Sequence, residues 1–194
     1  MLKKILLCLL LVRSFTGEAQ ADTSLKARLD SFLVFTEAMN IDAALDLTYP
    51  RLFTIISRDD MKKELSNTQE RDDVKIRLDS LRLDTIFPVF QFEKGSYSRI
   101  VYTMNMYMQM LDEAAIEDEE EINQMIRIFE LQHGEGNVTY NKEKKEIRLH
   151  IRSSMIAIRD EVSPQWTFLN LEADSPLTGI LFGDKLLEKL AQYK

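Results

Sequence analysis

Residues 97–111 read YSRIVYTMNMYMQML. Ile100, Tyr102, Met104, Met106, Met108 and Met110 occupy every second position, and Arg99, Thr103, Asn105 and Tyr107 lie between them. Successive strand residues point to opposite faces, so this spacing makes one long strand with an oily face and a largely polar one. The oily face has to be covered, and that requirement decides the class of fold.

The flanking segments extend the sheet. Val74, Ile76 and Leu78 alternate with Lys75, Arg77 and Asp79, while Leu81 and Leu83 continue one step out of phase. The slip predicts a bulge near Asp79-Ser80. Val89 to Glu93 reads as a second strand, with a tight turn at Lys94-Gly95-Ser96. Downstream, Val138 to Tyr140 is a short strand and Asn141 to Lys145 a polar turn. Glu146 to Asp160 is a long strand with Ile147, Leu149 and Ile151 inward, a phase slip at Ser153-Ser154, then Ile156 and Ile158. Trp166 to Leu171 is the last strand.

Helical spacing governs the rest. Leu25, Leu29, Phe32, Leu33 and Phe35 mark a helix from Ser24 to Ala38, broken by Asn40. A short helix from Asp42 to about Leu47, with Asp42 as cap, and a third from Asp59 to Ser66, behind a Ser57–Asp60 cap, follow. Tyr49-Pro50 interrupts the pattern between them. The acidic run Glu117 to Glu121 opens a helix with Ile122, Met125, Ile126 and Phe129 on its buried stripe, ended by Gly134 and Gly136. A closing helix spans roughly Thr178 to Gln192. Helices and strands are segregated, and hairpins join most strands. The expected fold is therefore α+β, a curved antiparallel sheet of about six strands wrapped over N-terminal helices.

The leader sets the expected compartment. Residues 1–21 carry Lys3 and Lys4, an apolar run from Ile5 to Val12, and Ala-Gln-Ala at the end. That is the layout of a bacterial secretory signal peptide, with cleavage after Ala21. The run is too short to span a bilayer, which takes about 20 residues, so no stable membrane insertion is expected after cleavage. Removing Lys3, Lys4, Arg13 and Glu18 with the leader takes the net charge from −7 to −9. Residues 22–194 are read as a single domain, periplasmic or secreted. The acidity argues against nucleic-acid binding. The only cysteine, Cys8, lies in the leader, so disulfides and thiol chemistry are not expected of the mature chain.

The element order and several phrases resemble the nuclear transport factor 2-like superfamily. Those phrases are Phe35-Thr36-Glu37-Ala38, Ala43-Ala44-Leu45-Asp46, the helix at Met61 to Leu65, and Trp166-Thr167-Phe168 near the end. The resemblance implies a cone-shaped fold that hosts isomerases, dehydratases, cyclases and many non-catalytic binding or dimerisation modules. The helix between Glu117 and His133 departs from the simplest plan of that family.

Three groups of residues are candidates for function. Tyr102, Met104, Met106 and Met108 can line an apolar pocket in the cone mouth, since methionine fills irregular, adaptable space. Asp46, Tyr49 and Tyr102 are the weak catalytic candidates, meeting as a carboxyl beside phenols. Arg99, Tyr107, Arg148, His150 and Arg152 lie on the other, basic face of the sheet and can form an interface with a second copy or an anionic partner. His133 and His150 lack the short ligand spacing that a metal site needs, and no cofactor is expected. The leading expectation is a non-catalytic domain that binds a small apolar ligand or a partner, including a homodimer. The alternatives are a small lyase or isomerase working in the cone, and a structural module of a cell-envelope assembly with an apolar patch on the Arg99–Tyr107 face.

Overall fold

The structure, a computed structural model, describes residues 22–69, 71–111, 119–170 and 176–193. Helices α1 (Thr23–Glu37) and α2 (Ile41–Asp46), a 3₁₀ turn (Pro50–Thr54) and helix α3 (Arg58–Gln69) come first. Strands β1 (Val74–Ile86), β2 (Phe90–Phe92) and β3 (Gly95–Met110) follow. Helix α4 (Glu119–His133) leads into β4 (Val138–Asn141), β5 (Glu146–Arg159) and β6 (Thr167–Asn170). Helices α5 (Pro176–Leu181) and α6 (Asp184–Ala191) come last.

The fold is α+β, with one open, six-stranded antiparallel sheet. β3 and β5 form its centre, paired without interruption from Ser96 opposite Arg159 to Gln109 opposite Glu146. β1 and β2 share the free edge of β3, and β4 and β6 share the free edge of β5. The bulge predicted at Asp79-Ser80 is present: register shifts between Asp79 and Arg82, and Ser80 adopts a φ of 56°. The irregularity frees the Leu81 N–H, which donates to Glu37 Oε1 on α1 at 3.1 Å. A second shift, between Leu83 and Thr85, carries no such signal in the sequence.

The inner face is covered in two halves. Leu25, Leu29 and Leu33 of α1 pack with Ile100, Tyr102, Met155, Ala157, Trp166 and Phe168. At the other end, Met125, Ile126 and Phe129 of α4 pack around Val74, Met110, Ile147 and Leu149. Asp22 caps α1 by accepting the Ser24 N–H at 3.0 Å. The same carboxylate takes Trp166 Nε1 and Arg159 Nη1, each at 3.0 Å, and so ties the helix start to the sheet. The bond from the Ser24 hydroxyl foremost, with those from Trp166 and the Ser24 and Leu25 N–H groups, holds its carboxyl below the usual range.

Local readings change in four places along these elements. Asn40 does not merely break α1: its Oδ1 accepts the Ala43 N–H and caps α2, in place of Asp42. Helix α3 runs on to Gln69 because Ser57 and Asp60 cap its start reciprocally, and Thr68 and Gln69 find backbone acceptors. The β2–β3 turn sits at Glu93-Lys94, and Gly95 already belongs to the strand. The glycine is required there, since a Cβ would lie 2.5 Å from the Tyr97 hydroxyl. The closing helix is two helices, parted at Phe182-Gly183. The start of the acidic run, Glu117 and Asp118, and Leu171 lie outside the described residues.

The phase slip expected at Ser153-Ser154 is absent; pairing runs straight through both serines. Ile156 and Ile158 face the opposite side from Ile147 and Leu149, where they are buried with Tyr49, Phe90, Tyr97, Phe182, Leu186 and Leu190. At this end the sheet is covered on both faces, so the apolar pattern ceases to alternate without any bulge. Ile156→Ala is accordingly expected to lower stability by about 2–5 kcal/mol in a urea melt. A loss below about 0.5 kcal/mol would show that this face is wet.

Candidate functional site: an oily cavity under the first three helices

A cavity of about 380 Å³ lies where α1, α2 and α3 meet the sheet and α5. Phe32 and Phe35 line it from α1, Ala44 and Leu45 from α2, and Met61 and Leu65 from α3. Leu78, Phe168 and Leu169 of the sheet and Leu177 of α5 complete the walls. Among the described residues no ionisable side chain lines it. The amphipathic stripe of α1 creates this arrangement: Leu25, Leu29 and Leu33 seal against the sheet, and Phe32 and Phe35, one step round the helix, face the gap.

The polar side chains of the lining are engaged within the protein. Thr36, Thr48 and Thr68 hydroxyls donate to the carbonyls of Phe32, Ala44 and Glu64 at 2.8–3.0 Å. Gln69 Nε2 donates to Met39 O at 2.9 Å, and Asn40 caps α2. Asn170 Oδ1 accepts the Tyr102 hydroxyl at 3.2 Å. What the cavity offers a ligand is therefore mainly hydrocarbon and aromatic surface.

The pocket expected over Tyr102, Met104, Met106 and Met108 is displaced. None of the four lines the cavity, although the Tyr102 hydroxyl bonds to the lining residue Asn170. Met104 packs against the α1 cluster, while Met106 and Met108 pack in the cluster that α4 covers. Met104, Met106 and Met108 are each half-buried.

Asp46, Tyr49 and Tyr102 do not meet either. The Asp46 side chain is 69% exposed and pairs with Arg58 at 2.7 Å. Tyr49 is buried, stacks on Phe182 and donates its hydroxyl to Asp160 Oδ2 at 2.6 Å. Asp160, with 7% of its side chain exposed, also accepts the backbone N–H groups of Val162 and Ser163 at 2.9 and 2.8 Å, and Arg51 stands 4.0 Å away. Sequence reading missed Asp160. Its place before Glu161-Val162-Ser163-Pro164 marks a side-chain-stabilised turn, but nothing local links it to Tyr49.

Burial, reinforced by the bond to Asp160 and its charge, pushes the Tyr49 phenol well above the usual tyrosine range. Burial also raises Tyr97, with the Asp160 charge again contributing. A neutral Tyr49 donating to a carboxylate is a structural latch between the 3₁₀ turn and the end of β5.

The basic face is a lattice of polar bonds within and between strands rather than an apolar patch. Arg77 pairs with Asp79 at 3.1 Å and stacks over Tyr107 at 3.9 Å. Arg82 donates to Thr103 at 3.0 Å, and Arg152 lies 3.5 Å from Asp84. Asn105 Oδ1 accepts from Arg148 and His150. Arg99 stands apart, its Nη1 donating to Tyr193 O at 2.5 Å, just beyond α6. Tyr107, Arg148, His150 and Arg152 thus share one surface, and Arg99 fastens the C-terminal segment.

Tyr49→Phe removes the latch and is expected to lower stability by about 1.5–3 kcal/mol at neutral pH, measured by urea melts. The wild-type latch stabilises fully below about pH 10, where the unfolded tyrosine ionises, and fades as pH rises further. Tyr49→Phe should flatten that alkaline decline; an unchanged decline would contradict the latch. No protein-family model matches this chain, and no curated protein sequence matches it.

Proposed function

We propose that this chain is an exported, non-catalytic binding domain of the nuclear transport factor 2-like type that holds a small, uncharged apolar ligand between α1–α3 and the sheet. The observation that carries the reading is the cavity itself: about 380 Å³, oily walls, polar side chains engaged by the protein, and no ionisable lining residue among those described. A charged ligand would have to leave its charge in water at the mouth, because burying an unpaired charge costs several kcal/mol. Acid–base catalysis draws less support, since Asp46 points to solvent and Tyr49 serves Asp160.

Export rests on the leader at residues 1–21. Cleavage after Ala21 would leave Asp22, the residue that caps α1 and grips Trp166 and Arg159, as the first of the mature chain. No helix among the described residues is long and apolar enough to cross a membrane.

The test is fluorescence of Nile red with purified protein, followed by displacement with decanol and decanoate. Bound dye should brighten, and neutral decanol should displace it at lower concentration than ionised decanoate. Ala44→Phe, which fills the cavity from α2, should weaken dye binding by about tenfold or more. Asp46→Asn should leave it unchanged. No brightening, or an Ala44→Phe variant that is folded and binds as wild type, would overturn the reading.

A further inference from the structure

We propose a second ligand site on the outer face of the sheet, where Arg148 and His150 are arranged to hold a small oxyanion group such as a phosphate, sulfate or carboxylate. The two side chains flank a cavity of about 250 Å³ closed by Gly136, Asn137 and Thr139. Among the described residues no acidic side chain lines it.

The site is organised from beneath by Asn105. Its side chain sits on the central strand β3 with the residue only 8% exposed, so packing fixes it. Its Oδ1 accepts from Arg148 Nε at 3.3 Å, Arg148 Nη2 at 3.1 Å and His150 Nδ1 at 3.1 Å. Three donors converging on one oxygen set the orientation of the amide and anchor both neighbours. Arg148 Nη1 and His150 Nε2 remain for a ligand, and the imidazolium form of His150 presents a second N–H. Thr139 stands directly opposite Arg148 in the β4–β5 register and adds a hydroxyl. The His150 backbone N–H donates to Asn137 O at 2.7 Å, which holds the rim against β5.

Charge accounting marks Arg148, like Arg82 on the same face, as a cation that no carboxylate pairs with among the described residues. On the same face Arg77 is paired with Asp79 and approached by Glu146 at 3.8 Å, and Arg152 is paired with Asp84. Arg148 is held instead by a neutral amide oxygen, and no carboxylate among the described residues pairs with it. A guanidinium pre-oriented but not neutralised, in a protein of net charge −7, is the arrangement that recognises an oxyanion through charge-assisted hydrogen bonds.

The test is a titration of the full mature protein with inorganic phosphate, and separately with glucose 6-phosphate, followed by backbone amide chemical shifts. Both ligands should shift Gly136, Asn137 and Thr139 in the millimolar range. Tighter binding of the sugar ester would assign the anion to a saccharide, and equal binding to the free ion. Arg148→Ala should weaken binding by about tenfold or more, and Thr139→Val, which keeps the side-chain shape, by severalfold. Lys94→Ala, which removes an exposed charge elsewhere, should change nothing. Unmoved amides with both ligands would overturn the site, as would Lys94→Ala and Arg148→Ala weakening binding equally.

Discussion

The fourteen paired positions between β3 and β5 fix everything else in this molecule. Side chains alternate along a strand, so a slip of one residue would turn the slipped strand over. With β5 displaced by one residue, Ile147 and Leu149 would enter water and Arg148 and Arg152 would enter the core. The register also brings Asn105 beside His150 and Arg148 beside Tyr107, which builds the polar lattice on the outside. One pairing therefore specifies both the core and the surface chemistry.

Three helical covers complete the sheet, and their division of the surface creates the cavity. α1 seals the inner face at the end of Ile100 and Met155, and α4 seals it at the end of Ile147 and Leu149. α6 covers the reverse face over Ile156 and Ile158. α2 and α3 stand off from this packing: Leu45 is the single buried residue of α2, and α3 buries none. The space under them remains open, lined by side chains that face one another across it. The parallel bridge between Thr48 and Phe168 holds its floor, with Tyr49 N donating to Phe168 O and Phe168 N to Leu47 O. Tyr49 and Asp160 lock the same corner from the other side.

The sequence made the fold legible because alternation and helical spacing are local signals. The long strands, the bulge at Ser80, the stripe of α4 and its glycine ending at Gly134 and Gly136 could all be read from neighbouring residues. The apparent slip at Ser153-Ser154 shows where that logic stops. A strand buried on both faces loses its alternation, and this looks the same as a bulge until the covering helix is placed. The candidate sites were less legible for a related reason. Methionine spacing showed that Met104, Met106 and Met108 share a face but not which helix covers it. Neither Asp46 nor Asp160 carries a local mark of burial in the sequence, and only the fold buries the second beside Tyr49. The basic face was readable as a row of residues, yet the role of Asn105 in gathering Arg148 and His150 arises from pairing between distant strands.

The most direct test of the account is photo-crosslinking with a neutral aliphatic diazirine, followed by peptide mapping of the labelled residues. The account predicts labels on Phe35, Met39, Met61 and Leu65, suppressed by excess decanol. Labels concentrated on Met106, Met108 and the α4 residues Met125 and Phe129, or none above background, would contradict it.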